Sequence, residues 1–444
     1  MALKALDIFK HLPKSNCGKC GHPTCLAFSM QMAAKKADLS DCPEVTEEAR
    51  AALEGASSPP IRLITIGKGD SAVQIGNETV LFRHDETFYH PTGVAVRMRD
   101  DVADPQAEVE AIRALSFERV GQRISVDMIA VENASGDKDK FANAVKAASA
   151  GGTAVVLMTS SPEALAAALA VCADQSPLIY KADSSNWEVM AEAAKQSCCP
   201  LAVEAADLEQ ASELTAKLNQ AGVQDLVLDV SAGSLAGTLS NLTQVRRAAL
   251  RKGFRPLGYP CIAIPASSDP ALAIAEAGTY VSKYAGIVVV DAKEPWQVLP
   301  LLTVRQNIFT DPRKPVQVES KLYSVGAVDG KSPLLVTTNF SLTYYTVEGD
   351  VEASRVPSYI GVIDTEGTSV LTAWASEKLT VDKVTKFLNS DEVKGKVPHN
   401  KVVIPGYVAV MSGRLEDESG WQVLVGPRES SGIPKFLKTM WKAD

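Results

Sequence analysis

Four cysteines near the start of this 444-residue chain are the residues best suited to chemistry. They run Cys17-x2-Cys20-x4-Cys25-x16-Cys42, with Pro43 directly after the last. Thiolate is the ligand that iron–sulfur clusters select, and four of them complete one cubane. Structural zinc also accepts four cysteines, but it usually takes two separated C-x2-C knuckles. Three ligands in one nine-residue loop plus a remote Cys-Pro point instead to a [4Fe–4S] cluster on Cys17, Cys20, Cys25 and Cys42. The C-x3-C-x2-C spacing of radical enzymes is absent. Gly18 and Gly21 let the backbone wrap closely, and Leu12, Leu26, Phe28 and Met30 are the expected apolar shell. The remaining cysteines, Cys172, Cys198, Cys199 and Cys261, are scattered far downstream and read as packing groups. A local cluster of this kind in a long chain is a metal site rather than a disulfide framework.

The elements that must position these residues fall into three parts, expected at 1–57, 58–312 and 313–444. The first holds a short leading helix, the cysteine loops and a polar helix from about Pro43 to Leu53. It ends in a small-residue and proline linker at 54–60. Residues 61–92 read as a hairpin with Gly76-Asn77 as its turn. From Gly93 onward, apolar β-type runs at 94–98, 124–131, 153–159, 177–182, 200–205, 225–230, 262–266 and 286–291 alternate with helical segments. Those segments lie around 103–120, 138–149, 162–174, 186–197, 207–221, 234–252, 270–284 and 295–309. Strands apolar on both faces belong to parallel sheets covered by helices. Eight such units fit a (β/α)8 TIM barrel, with an open doubly wound sheet as the alternative. After Asp311-Pro312 a small α/β domain follows. Its strands are expected at 334–338, 359–364, 370–374, 402–405 and 423–426, and its helices at 341–348, 380–390 and 431–441.

The formal charge of −8 argues against a nucleic-acid partner, because phosphate binding needs a basic face. No apolar run reaches the roughly 18 residues of a membrane helix. The opening MALKALDIFKHLPKSNC lacks the pattern of a signal peptide, so the expected location is the cytoplasm.

CGKCGHPTCLAF with its distant CP resembles the N-terminal module of the corrinoid iron–sulfur protein large subunit of the carbon monoxide dehydrogenase/acetyl-CoA synthase pathway. VLFRHDETFYH (80–90), VTTNFSLTYYTVEG (336–349), PSYIGVIDTEGTSVLTAWA (357–375) and VGPRESSGI (425–433) are similar to the same family, so the resemblance spans the chain. It implies a small [4Fe–4S] domain, a TIM barrel and a C-terminal Rossmann-like domain that binds a cobamide. It implies a methyl carrier, one component of a corrinoid-dependent methyltransferase system. Its cobalt, as Co(I), takes a methyl group from methyltetrahydrofolate through a methyltransferase and passes it to acetyl-CoA synthase. The cluster, fed by a protein electron donor, reduces accidentally formed Co(II) back to Co(I). The implied assembly is a heterodimer with a smaller subunit.

A corrin ring is a wide apolar disc fringed with amides, so it wants small residues near its face and hydroxyls or backbone groups at its rim. Thr337, Thr338, Asn339 and Thr343 at the end of one strand fit that need, with Ser341 alongside. So does the turn of Gly367, Thr368, Ser369, Val370, Leu371 and Thr372. Gly406, Gly426, Ser431 and Gly432 sit at further strand-to-loop or loop-to-helix junctions, where α/β ligands bind. Each of these is also an ordinary turn or cap residue. The D-x-H-x-x-G motif that gives cobalt a histidine is absent. His11, His22, His84, His90 and His399 all lack an aspartate two residues earlier, so no protein histidine ligand is expected. Cobalt without a strong lower nitrogen donor is easier to bring to Co(I).

Two other readings stay open. One is an iron–sulfur electron-transfer subunit. The other is an iron–sulfur barrel enzyme using Glu132, Glu204, Asp229 and Asp291 at barrel strand ends, although charged residues cap such strands routinely.

Overall fold

The computed structural model describes residues 5–33, 37, 39–46, 59–311, 313 and 315–442. Two compact units result: Met1–Phe117 with Ile124–Phe309, and Glu118–Arg123 with Thr310–Asp444.

In the first unit, helices α1 (Ala5–His11) and α2 (Cys25–Ala33) flank the cysteine loop. Ile8, Leu12, Cys25, Phe28, Leu39 and Cys42 form a small core of their own. Pro43–Thr46 are turn and coil rather than helix. The rest of the expected polar helix, and most of the linker, lie outside the described residues.

Strands β1 (Ile64–Ile66) and β2 (Val73–Ile75) pair antiparallel. Their connection runs through Gly67 and Gly69, both at positive φ, and not through Gly76-Asn77 as expected. Gly76 has another task. A Cβ there would lie 2.0 Å from the Arg62 carbonyl oxygen, so the chain leaves β2 where only glycine passes.

The eight-stranded barrel is closed and all parallel. After β3 (Gly93–Arg99) and α3 (Pro105–Arg113) comes a small antiparallel hairpin, β4 (Ser116–Arg119) with β5 (Gln122–Ser125). The long helix expected at 103–120 therefore stops at Arg113. The apolar run 124–131 is split between β5 and barrel strand β6 (Met128–Glu132). Asp127 makes the break, since its half-buried carboxylate accepts from the Val94 N–H at 2.8 Å and pairs with Arg305. The barrel then runs α4 (Lys138–Ser149), β7 (Ala154–Met158), α5 (Pro162–Cys172), β8 (Leu178–Ala182), α6 (Trp187–Ser197) and β9 (Leu201–Glu204). It closes with α7 (Leu208–Gln220), β10 (Leu226–Asp229), α8 (Leu235–Lys252), β11 (Cys261–Ala263), α9 (Pro270–Ser282), β12 (Ala285–Val290) and α10 (Pro295–Phe309).

Alternate strand residues such as Ala95, Ala130, Val156, Ala202 and Val227 fill the barrel, joined by Ile64, Ile66 and Ile75 of the first hairpin. Val73 and Ile75 of that hairpin approach Gly93 and Gly286, and Gly67 approaches Ala154, so it plugs the amino-terminal end. Each buried isoleucine contributes about 1.5–3 kcal/mol. The segment after β2 is clamped to the same unit. Glu78 accepts from the N–H groups of Tyr89 and His90, both at 2.9 Å, and lies 3.6 Å from the buried Arg246 guanidinium. Arg246 in turn sits over the Phe88 and Tyr284 rings.

The second unit carries a five-stranded sheet of order β13-β15-β14-β16-β17. These strands are β13 (Leu322–Val325), β14 (Leu334–Thr338), β15 (Ser358–Ile363), β16 (Lys401–Ile404) and β17 (Gln422–Val425). All are parallel except the edge strand β13, which the sequence reading missed. The helices are α11 (Ser341–Ser354), α12 (Val370–Ala375), α13 (Val381–Leu388), α14 (Asp391–Lys396), α15 (Ser412–Ser419) and α16 (Ile433–Thr439). The stretch 370–374 is thus helix, not strand. Its residues favour strands by type, but both sides of β14 and β15 are already taken by other strands. No helix among the described residues is long and apolar enough to cross a membrane.

Candidate functional sites

In the cysteine module, Lys14, Asn16, Gly18 and Gly21 all have positive φ, at 58°, 49°, 70° and 80°. A Cβ on Gly21 would meet nothing within 4 Å, so the backbone conformation, not crowding, calls for glycine there. Polar ties join the three cysteine-bearing segments. The Asn16 side chain accepts from the Cys25 N–H at 2.8 Å. Glu44, two residues after Cys42, accepts from Ser15 at 2.9 Å and pairs with Lys19 at 2.7 Å. Those bonds, Lys19 first, hold the Glu44 carboxyl below its usual range.

All four thiols are free. Cys25 and Cys42 are buried, Cys20 is half-buried and Cys17 is exposed. Among the described residues no three Cys, His, Asp or Glu side chains converge on a single ion. A cubane is gripped at separated corners, so its thiolates stand farther apart than around one ion. The donor set fits a cluster, since Cys20, Cys25 and Cys42 share one small core. Leu12 and Phe28 are buried as the apolar shell requires, whereas Leu26 and Met30 face outward at 37% and 57% exposure.

In the second unit the chain crosses from one side of the sheet to the other between β14 and β16, and ligands bind outside the carboxyl ends of strands at such a point. A cleft of about 560 Å³ lies there, lined by Leu335, Val336, Thr337, Val403, Ile404 and Gly426 among others. An adjoining one of about 780 Å³ adds Leu342, Thr346, Ser369 and Leu371. Thr343, Val347, Val370, Tyr407 and Ser430 line both. The walls are mostly apolar and edged by hydroxyls, with Arg428 and Glu429 also in the lining. Leu342, Leu371 and Tyr407 are 55%, 51% and 41% exposed, an unusual amount of open apolar surface beside a pocket. The Thr337 hydroxyl is buried and has no hydrogen-bond partner among the described residues.

Of the residues singled out in the sequence, Thr337, Thr343, Ser369, Val370, Leu371 and Gly426 line this cleft. The others do not, and most serve its frame. Thr338 is fully buried, with an unpartnered hydroxyl on the opposite face of β14. Asn339 bonds the turn at 364–367. Gly367 sits at φ +72°, where a Cβ would clash with Gln317 and Pro315. Thr368 bonds back to Thr365, and Thr372 accepts from Ser369. A Cβ on Gly406 would lie 2.6 Å from the Gly426 carbonyl oxygen, so only glycine lets the two loops run this close, and Gly432 packs on Pro427. Ser431 lies in a short 3-10 turn before α16. The reading missed Leu342, Tyr407 and Ser430 because it sought hydroxyls and glycines at strand ends, while an exposed apolar side chain carries no local signature.

His399 is the only histidine of this unit, and both its ring nitrogens are engaged. Nε2 lies 3.0 Å from the Ser332 carbonyl oxygen and Nδ1 accepts from the Lys401 N–H at 3.0 Å. The latter bond places it at the amino-terminal end of β16, away from the cleft.

At the carboxyl end of the barrel, the four carboxylates noted in the sequence each have a partner. Asp291 takes two bonds from Arg97, at 2.8 and 2.6 Å, and Glu132 lies 3.7 Å from the same guanidinium. Glu204 pairs with Lys181. Asp229, pushed up by burial, accepts from Tyr180 at 2.6 Å. Burial also raises the thiols of Cys172 and Cys261 to about 12, as suits packing groups.

A family described as CO dehydrogenase/acetyl-CoA synthase delta subunit matches residues 63–437, and an Fe-S cluster family matches residues 12–44. The corrinoid/iron-sulfur protein large subunit of Moorella thermoacetica is 46% identical over 443 residues, covering 99% of each chain. The acetyl-CoA decarbonylase/synthase complex subunit gamma of Methanothermobacter thermautotrophicus is 39% identical over 452 residues, covering 98% of this chain and 99% of its own. Among solved structures, 7,8-dihydropteroate synthase from Vibrio fischeri aligns at 16% identity with TM-score 0.37, over 51% of this chain and 97% of that one. End-to-end identity at this level, together with the N-terminal cysteine module, means that the chain belongs to the family of corrinoid/iron–sulfur protein large subunits and acetyl-CoA decarbonylase/synthase gamma subunits.

Proposed function

We propose that the chain is a methyl-carrying corrinoid iron–sulfur subunit. The observation that carries this reading is the cleft at the ends of β14 and β16, which is open, mostly apolar, edged by hydroxyls and free of histidine. Thr337, Thr343, Ser369, Val370, Leu371 and Gly426 would line a cobamide, with Leu342 and Tyr407 beside its broad face. Cys17, Cys20, Cys25 and Cys42 would hold a [4Fe–4S] cluster. When bound, the cobamide supplies a cobalt centre that takes up and gives away a methyl group, and the cluster supplies low-potential electrons that return oxidised cobalt to its nucleophilic state.

The chain's own residues bind and orient. Apolar walls keep water from the face of the ring, and hydroxyls at the edge take its amides. With both His399 nitrogens occupied, this unit offers cobalt no histidine, which favours the reduced state. The partners that follow are a smaller subunit, a methyltransferase that delivers the methyl group of methyltetrahydrofolate, acetyl-CoA synthase and a protein electron donor. The place of work is the cytoplasm, with no nucleic-acid or membrane partner.

The test is methyl uptake. Chemically reduced protein, mixed anaerobically with methyltetrahydrofolate and a methyltransferase, should lose its reduced corrinoid absorption as it gains labelled methyl. Label that stays on the folate while corrinoid is fully bound would contradict the carrier role.

A further inference from the structure

We propose that Asn339 and Asp364 are positioning residues that set the rim of the cobamide cleft without touching the ligand. The inference rests on the reading of that cleft as the cobamide site. Asn339 is 3% exposed, and its side chain is fully used. Its Oδ1 accepts from Thr365 N–H at 3.0 Å, Thr365 Oγ1 at 3.0 Å and Gly367 N–H at 2.9 Å. Two backbone donors on one atom fix which end of the amide is oxygen. Its Nδ2 donates to Gln317 Oε1 and Asp364 Oδ1, both at 3.1 Å. An amide nitrogen has two hydrogens, so no donor is left for a ligand.

The turn held this way is strained without it. Glu366 and Gly367 both have positive φ, at 55° and 72°, and only the second is glycine. Asp364 supports the bend from its own side by accepting from the Glu366 N–H at 3.0 Å. Thr368 then bonds the Thr365 carbonyl oxygen twice, from its hydroxyl at 2.7 Å and from its N–H at 3.2 Å. The turn ends at Ser369, the residue before α12, and Ser369, Val370 and Leu371 are the part of this segment that lines the cleft. One buried amide at the end of β14 thus sets the height and angle of a rim contributed by the neighbouring strand.

The test uses the full chain and three variants, Asn339→Asp, Asp364→Asn and the double variant. Asn339→Asp keeps the acceptor but sets a buried carboxylate against the exposed Asp364 carboxylate. Two readouts are taken well below the melting temperature: cobamide affinity by equilibrium dialysis, and hydrogen exchange of residues 364–369 without ligand. The expected result for Asn339→Asp is faster exchange in this turn, unchanged exchange in β16 and β17, and affinity weakened about tenfold. Asp364→Asn should change little, since an amide oxygen still accepts from Asn339. The double variant, with one carboxylate and one amide again, should bind more tightly than Asn339→Asp alone. Faster exchange with normal affinity would overturn the proposal, as would weakened affinity with no local change in exchange, which would make Asn339 a direct contact. Wild-type protein that takes up no cobamide at all would instead overturn the reading of the cleft, and this proposal with it.

Discussion

Replacing Thr337 by valine should act with opposite signs on the ligand-free and the cobamide-bound protein. Thr337 is 2% exposed and its hydroxyl has no partner among the described residues, although it lines the cleft. Leaving a buried hydroxyl unpaired costs about 1–3 kcal/mol, while a hydrogen bond made to a ligand returns a net 0.5–1.5 kcal/mol. Valine has nearly the same shape and no hydroxyl. Thr337→Val should therefore stabilise the ligand-free second unit by about 1 kcal/mol, raising its melting temperature by roughly 3–5 °C. The same change should weaken cobamide binding about two- to tenfold, as the bond at the rim is lost. Thr338→Val is the internal control, because that hydroxyl is equally buried and unpartnered but lies on the other face of β14. It should show the gain in stability and no change in affinity. Calorimetry of ligand-free protein and a cobamide titration of each variant decide the matter. Equal affinities for Thr337→Val and wild type would refute the placement of the ring against Thr337. A loss of stability in the ligand-free variant would mean the hydroxyl has a partner after all.

Replacing Cys20 with serine should remove or weaken the cluster and leave cobamide bound, since the two sites lie in different units; iron, cobalt and paramagnetic resonance on one sample check this, and parallel loss of cobalt would contradict it. Substituting His399 should leave the Co(II) paramagnetic spectrum unchanged, because its nitrogens already serve Ser332 and Lys401; a clear shift would mean that this histidine reaches cobalt. Glu44→Ala frees the Cys17 loop from the segment after Cys42, so iron should pass to a chelator modestly faster, as befits an exposed ion pair. Release at the wild-type rate would show that these ties do not hold the ligands.

How much of this is legible in the sequence depends on which interactions set each element. The barrel is readable because its strands are apolar on both faces and its helices start with strong caps, such as Ser161 accepting from Ala164 N–H before Pro162. The split at Asp127 is not, since an aspartate inside an apolar run gives no hint that Arg305, far along the chain, is its partner. The helix at Val370–Ala375 defeats propensity because sheet neighbours, not residue types, decide its fate. In the cleft, the strand-end hydroxyls can be guessed, but sequence cannot separate those that line it from those that brace it. Thr337 and Thr338 are adjacent and chemically identical, and only the pleat tells them apart. Asn339 likewise looks like a ligand until its five bonds are seen.

The most direct test of the central claim, that one chain carries both a cobamide and a [4Fe–4S] cluster, is a metal count and an ultraviolet–visible spectrum on one anaerobically purified sample. The expected result is corrinoid bands above broad iron–sulfur absorption, with roughly four iron atoms and one cobalt per chain. Cluster absorption with iron but no cobalt, in protein that also fails to take up added cobamide, would contradict the account and leave an electron-transfer subunit in its place.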